Sequence, residues 1–401
     1  MVQPVPTVVV APDSFKGALS AVDIAAAMAA GVRLALGDDA HIIECPLADG
    51  GEGTLQTLLS APGTTLRTAD VHDALGRRRR ADYAITADSR VAIIEAAEAN
   101  GLPHVSDVPP APLRADTFGV GEIVLSALDD GVEDIVLCIG GSATTDGGTG
   151  LLRALGVRFL DHLGRDVASG GGGLGDIASL DLAGLDPRAR NVRWKVACDV
   201  NNPLVGDQGA AAVFGPQKGA SAADVAVLDA GLAHLARVLD QVAGVDVAAT
   251  PGAGAAGGLP ACLLAVFDAE LLAGMDLVAD VVHLEEILAE ADLVITGEGC
   301  FDSQSLRGKV VHGVLRRTPA HIPVVVVAGS VRLSVAETRA AGIAGAFSIA
   351  SGPAELSRLL ADTEALVRDT AAHIAGFGAH CWGWARNRAD PRSPRSLANS
   401  H

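Results

Sequence analysis

The sequence predicts an α/β fold with parallel sheets, and three observations carry that prediction. Short continuous apolar runs such as Thr7-Val8-Val9-Val10-Ala11 and Asp134-Ile135-Val136-Leu137-Cys138-Ile139 have the character of strands buried on both faces. Between such runs lie segments with helical apolar spacing, for example Ile24, Met28, Val32 and Leu36. The strands also run repeatedly into clusters of glycine, carboxylate and lysine, at the sheet edge where open α/β folds bind ligands.

A chain of 401 residues is long enough for two domains, and its 49% hydrophobic content supports large buried cores. The net charge of −18 argues against nucleic acid or an anionic membrane as partner. No apolar run reaches the length of a membrane span, and a strand beginning at Thr7 leaves no room for a signal peptide. The six cysteines show no CxxC or Cys/His metal spacing, so reduced thiols in a cytoplasmic protein are expected. Of 30 basic residues only Lys16, Lys195, Lys218 and Lys309 are lysine. Lysine kept where arginine serves generally marks sites wanting a compact ammonium, and Lys16, Lys218 and Lys309 lie in polar, glycine-flanked stretches.

In chain order, the first strand ends in Pro12-Asp13-Ser14-Phe15-Lys16-Gly17, and Ser20 with Asp23 caps a helix that Gly37 stops. The strand His41 to Pro46 leads to Asp49-Gly50-Gly51-Glu52-Gly53, where Asp49 or Glu52 could hold Mg²⁺ or take a hydroxyl proton. Arg77 to Arg80 is expected as a solvated turn. Val91 to Glu95 is a strand, and a helix runs through Leu128. This region has the look of a second domain inserted into the first.

Gly140 to Gly150 then packs five glycines, four hydroxyl side chains and Asp146 into eleven residues between a buried strand and a helix. Strand, glycine loop and helix is the layout that aims backbone N–H groups at an anion, so a phosphate site is expected here, without a Walker A lysine. Gly170 to Gly173 is expected as a flexible loop. The strand Trp194 to Cys198 ends in Asp199, Asn201 and Asn202, and Lys218 stands in the frame Gly215-Pro216-Gln217-Lys218-Gly219. Gly252 to Gly257 matches GxGxxG, but Pro251 and Pro260 crowd it and close backbone packing is the expected role. A last cluster follows the strand Asp292 to Thr296: Gly297, Glu298, Asp302 and Lys309. Further strands are expected at Pro323 to Ala328 and Ala346 to Ala350.

These clusters lack a histidine beside a nucleophile, and what they hold suits phosphoryl transfer: backbone and lysine for phosphates, carboxylates for Mg²⁺, and one carboxylate for a hydroxyl proton. The chain resembles the glycerate kinase type 1 family. The resemblance lies in Ala11-Pro12-Asp13-Ser14-Phe15-Lys16, Ala48 to Thr54, Ile139 to Thr144, Ala197 to Val200, Asn202-Pro203-Leu204, Phe214 to Ala220, Gly252 to Gly258 and Thr296 to Gly299, in register from about Thr7 to Ile374.

The resemblance implies phosphorylation of D-glycerate with ATP and Mg²⁺, at the 2-hydroxyl in most bacterial members, with 3-phosphoglycerate as the other product open. It also implies a Rossmann-like parallel-sheet domain with a second α/β domain inserted, and an active site in the cleft between them. The expected boundaries are 1–60 with 286–376 for the first domain and 61–285 for the second; 377–401 is expected to be a disordered tail. Departures from the family are Thr145 where many members have Asn, Cys300-Phe301 for a basic-apolar pair, and Val310-Val311 for Thr-Pro.

The expected roles are Asp199 as base or Mg²⁺ ligand, with Asp49 the competing base, and Lys16 with Gly140, Gly141 and Ser142 on phosphates. Glu298 and Asp302 serve the metal, and Lys218 or Lys309 the glycerate carboxylate or γ-phosphate. Asp13, Ser14, Gly50, Gly51, Asn202 and Gly297 complete the expected binding residues. The partner is small-molecule glycerate, with homo-oligomerisation open. Two rival readings are an NAD-dependent hydroxy-acid dehydrogenase, resting on GxGxxG alone, and a non-catalytic hydroxy-acid binder.

Overall fold

The computed structural model describes residues 5–37, 40–51, 53–88 and 90–382. The strands in chain order are β1 (Thr7–Pro12), β2 (His41–Glu44), β3 (Thr65–His72), β4 (Arg78–Ile85), β5 (Val91–Glu95), β6 (Asp134–Cys138) and β7 (Arg158–Leu160). They continue with β8 (Ser179–Asp181), β9 (Arg193–Ala197), β10 (Glu270–Leu272), β11 (Leu293–Phe301), β12 (Val324–Val331) and β13 (Gly345–Ser348). The chain divides into two compact units, one of Met1–Pro46 with His283–His401, the other Leu47–Val282.

The first unit holds a sheet in the order β13-β12-β11-β1-β2, each neighbouring pair parallel. From β1 the chain moves to β2 on one side and later returns as β11 on the other. The strand order therefore reverses between β1 and β11, and the carboxyl ends of those strands form the switch point that favours a ligand. The helix Ala21–Leu36 begins where Ser20 Oγ accepts the Asp23 N–H at 3.2 Å, and Gly37 ends it with φ 70°. Its buried face, Ile24, Met28 and Val32, packs with β1, β11 and the helix Thr363–Trp382 in one core. That last helix runs past Gly376, into the stretch expected to be disordered; residues 383–401 lie outside the described residues. β11 is longer than the strand expected to end at Thr296, so Gly297 and Glu298 lie within it.

The second unit holds a six-stranded sheet in the order β10-β9-β6-β5-β4-β3. Its first four strands are parallel, and β4 and β3 add an antiparallel hairpin at the edge. The arginine run is a correction: Arg78 to Arg80 open β4, and Arg77 is an anchor that pairs with Asp73 and Asp107 and donates to the His104 carbonyl at 2.6 Å. The residues 170–173 are also not loose. Gly171–Asp176 forms a 3-10 turn, and a Cβ at Gly171 would lie 2.3 Å from the Thr145 carbonyl oxygen. GxGxxG packs backbone on backbone, a Cβ at Gly257 falling 1.9 Å from the Thr144 carbonyl oxygen. The units part at Pro46 and Val282. The helix Thr54–Leu59, placed by sequence in the first domain, thus packs in the second, where the Leu55 N–H donates to Glu95 Oε1 at 2.6 Å.

Candidate active site

The parallel strands of the second unit deliver their carboxyl ends to a cavity of about 540 Å³, a volume suited to a small ligand. β6, buried at every residue, ends in Ile139 and the loop Gly140-Gly141-Ser142 that lines it. Gly141 turns with φ 74°, a conformation that suits glycine. The loop is pinned to its neighbour by the Leu102 N–H on the Gly141 carbonyl (2.9 Å) and the Ala143 N–H on the Asn100 carbonyl (2.8 Å).

The second half of the glycine loop does something else. Asp146 is fully buried, and its Oδ2 accepts from the Thr117 N–H (2.9 Å), the Thr117 hydroxyl (2.8 Å) and the Gly150 N–H (3.0 Å). Its Oδ1 accepts from the Gly148 N–H. The start of the helix Thr149–Ala154 is therefore held by an internal carboxylate, so only the Gly140 to Ser142 half of the loop faces the cavity. Thr145, the family departure, is fully buried.

Asp199 follows β9 and Asp49 follows β2, and both line the cavity. Asp199 Oδ1 accepts the N–H of Gly274 at 3.0 Å, at the start of the helix Gly274–Val281. That bond favours the carboxylate; Asp199 is solvent-accessible, yet partial desolvation by the atoms crowded around it, with the charges of Asp49 and Asp276, outweighs the bond and pushes it up to about 6. Gly274 holds the two acids in place. A Cβ there would lie 2.0 Å from the Asp49 carbonyl oxygen, and one at Gly50 would lie 2.6 Å from the Gly274 Cα. Asp49 in turn accepts the Gly51 N–H at 3.2 Å.

Lys218 closes another wall. It ends the 3-10 turn Pro216–Lys218, is 4% exposed, and donates from Nζ to Ser142 Oγ at 3.0 Å and the Thr144 carbonyl at 2.6 Å. Burial pushes its ammonium down to about 7, against the opposing pull of Asp146. Sequence reading singled out Lys218 as a glycine-framed loop lysine; its burial and its Ser142 partner, 76 residues away, come only with the fold.

Eight of the expected residues thus share this cavity: Asp49, Gly50, Gly51, Gly140, Gly141, Ser142, Asp199 and Lys218. Asn202 does not line it. Its side-chain amide donates to the Gln208 carbonyl at 2.8 Å and its own carbonyl accepts from Gly252 and Gly254, so it ties loops together. Glu52 lies outside the described residues. Sequence reading missed Gly274, although it shares the signature of the others: a glycine just past a strand with an acid, Asp276, two residues on.

In the first unit, Asp13 and Gly297 meet at the switch point, the Asp13 N–H donating to the Gly297 carbonyl at 2.8 Å. Asp13 Oδ1 accepts the Ser14 N–H at 2.6 Å, Lys16 is exposed, and Glu298 is 6% exposed on β11. Gly299 passes against the Phe15 and Lys16 backbone. Asp302 and Lys309 stand farther on: Asp302 accepts the Gln304 N–H at 2.8 Å, and Lys309 begins the helix Val310–Arg317. Among the described residues no group of three or more His, Cys, Asp or Glu is placed to hold a metal ion. Mg²⁺ in phosphoryl-transfer sites needs only one or two carboxylates beside substrate phosphates, so the paired acids Asp49 and Asp199, or Glu298, suit it. Among the described residues, no helix is long and apolar enough to cross a membrane.

Comparison with known proteins agrees with this chemistry. Residues 8–378 match the model of the glycerate kinase family. The chain is 42% identical to a glycerate kinase of Halalkalibacterium halodurans, over 92% of this chain and 97% of that protein. It is 44% identical to glycerate 2-kinase of Escherichia coli, over 85% and 90% of the two chains. A crystal structure from Salmonella typhimurium LT2, described as glycerate kinase 2, superposes with a TM-score of 0.85 at 42% identity, covering 94% of this chain and 99% of that one. With the family's model matched over nearly the whole chain and relatives of this identity, the protein belongs to the glycerate kinase family.

Proposed function

We propose that the protein transfers the γ-phosphoryl group of ATP to the 2-hydroxyl of D-glycerate, giving 2-phosphoglycerate and ADP. The observation that carries this reading is the pair of acids at the cavity, Asp199 raised to about 6 beside Asp49, in a chain of this family. The name of the Escherichia coli relative, a glycerate 2-kinase, supports the choice of hydroxyl.

In the reaction the glycerate oxygen bonds to the γ-phosphorus, the bond from that phosphorus to the β–γ bridging oxygen breaks, and the hydroxyl proton passes to a carboxylate. Asp199 is the proposed base: a carboxylate near 6 is ionised at neutral pH yet more basic than an ordinary aspartate. Asp49 is the second candidate. Mg²⁺ neutralises charge on the phosphates when bound, and Glu298 with Asp302, or Asp199, are the residues proposed to hold it. Asp13, Ser14, Lys16 and Gly297 are proposed for the phosphates, at the edge where the first unit's strand order reverses.

Phosphorus NMR of the purified protein with ATP, Mg²⁺ and D- or L-glycerate tests the proposal. A 2-phosphoglycerate signal with D-glycerate is expected. A 3-phosphoglycerate signal would move the acceptor to the other hydroxyl, and absence of any phosphoglycerate would overturn the reading.

A further inference from the structure

The residues lining the cavity include three charged groups, Asp49, Asp199 and Lys218. The cation lies apart from the acids. Lys218 is held by Ser142 and Thr144 in the loop after β6, whereas Asp199 follows β9 and is held by the Gly274 N–H after β10. The cavity is therefore bipolar, with an ammonium at one wall and two carboxylates at another. A hydroxy acid has the matching polarity, an anion at one end and a hydroxyl at the other.

Resting on the proposed glycerate phosphorylation, we propose that Lys218, acting with the Ser142 hydroxyl and the Gly140-Gly141 backbone, binds the substrate's carboxylate and thereby points its hydroxyl at Asp199. The first half of the glycine loop then serves a carboxylate and not a phosphate. Lys218 suits this role because its ammonium has three N–H donors and two are taken, by Ser142 Oγ and the Thr144 carbonyl. Both of those bonds hold the side chain in one rotamer beside the cavity. The Ser142 hydroxyl, accepting from Lys218, keeps its own proton to donate to an anion. With 4% of Lys218 exposed, a charge there meets little competing water, so one carboxylate contact discriminates strongly.

The same geometry couples binding to a proton. The charge that acts against the lowering of Lys218 by burial is that of buried Asp146, itself fixed by Thr117, Gly148 and Gly150. Burial holds the ammonium near 7, and a carboxylate bound beside it would raise it, so binding above neutral pH takes up a proton.

The test compares wild type with Lys218→Met and Ser142→Ala, using calorimetric binding of D-glycerate and of glycerol, its counterpart without the carboxylate, and steady-state kinetics with ATP. Lys218→Met is expected to raise the KM for glycerate about ten- to a hundredfold, the scale of one lost charged hydrogen bond, with the KM for ATP unchanged. Ser142→Ala is expected to raise it less. In wild type the glycerate Kd should climb about tenfold per pH unit above about 7, with proton uptake measured in buffers of different ionisation enthalpy; both effects should vanish in Lys218→Met. A merely structural lysine would leave that pH dependence in place. The idea is overturned if a folded Lys218→Met, judged by its melting temperature, keeps wild-type glycerate affinity or loses ATP affinity equally. Should that variant not fold, an unaltered glycerate KM in Ser142→Ala together with no proton uptake by wild type overturns it. Wild type that binds 2-hydroxy acids without phosphorylating them refutes the kinase reading and leaves Lys218 to be judged on binding; wild type that binds no carboxylate refutes Lys218 as well.

Discussion

Asp199 shows how a single residue trades stability for chemistry. Its carboxyl, though solvent-accessible, is raised to about 6 by partial desolvation and by Asp49 and Asp276, against the favourable Gly274 N–H. An acid raised in the folded state holds its proton more tightly there than in the unfolded chain. Its contribution to stability is therefore greatest below about 4 and is lost as pH rises from about 4 to 6. Catalysis as a base needs the opposite form, so kcat/KM should fall as pH drops through about 6. Asp199→Asn is expected to reduce kcat by about a hundred- to ten-thousandfold and yet to melt no lower than wild type at pH 7. Activity near wild type would pass the role of base to Asp49. Much of this residue-level pattern was legible in the sequence, because an aspartate directly after a buried strand marks a ligand edge. Gly274 was not, since its value lies in leaving room for the Asp49 carbonyl, a neighbour 225 residues earlier in the chain (274 − 49).

At the scale of elements, local pattern and packing disagree in instructive places. Strand, glycine loop and helix around Gly140 were legible as a unit, but the helix start could not be read as occupied. Asp146 supplies the anion from within, and its partners at Thr117 come from a distant loop. Likewise Gly297 resembles a loop glycine in sequence, yet within β11 a Cβ there would lie 2.2 Å from the Val327 carbonyl oxygen. The helix pair of the first unit allows a direct test of propensity against packing. Gly31 sits inside the helix Ala21–Leu36, where alanine is favoured by about 1 kcal/mol. A Cβ at Gly31, however, would lie 2.1 Å from the Arg368 carbonyl oxygen on the helix Thr363–Trp382. Backbone does not yield as a side chain does, so overpacking should win. Gly31→Ala is expected to lower stability by about 1–3 kcal/mol, measured by chemical denaturation. A stabilised variant would mean that the two helices separate easily.

At the scale of the whole molecule, an insertion into a parallel-sheet domain was readable from the change of pattern after Ala61, but its edges were not. Asp49 to Leu59 follow a strand of the first unit without a break in sequence character. What assigns them to the second unit is long-range contact: Glu95 holding the Leu55 N–H, and Gly274 packed on Gly50. This division carries a consequence for binding. Leu47–Val282 is one continuous stretch with its own sheet and its own core, built around Ile94, Ile123, Leu137, Trp194 and Leu232. All the residues that line the cavity belong to it. The isolated segment 47–282 is therefore expected to fold cooperatively and to bind D-glycerate in calorimetry within about tenfold of the full chain, with Lys218→Met weakening that binding by the same roughly ten- to hundredfold as in the full chain. Asp13, Ser14, Lys16 and Glu298 are absent from the segment, so turnover of ATP is not expected of it. A segment that folds but ignores glycerate would place the acceptor's main contacts on residues outside 47–282, and with them the specificity of the enzyme.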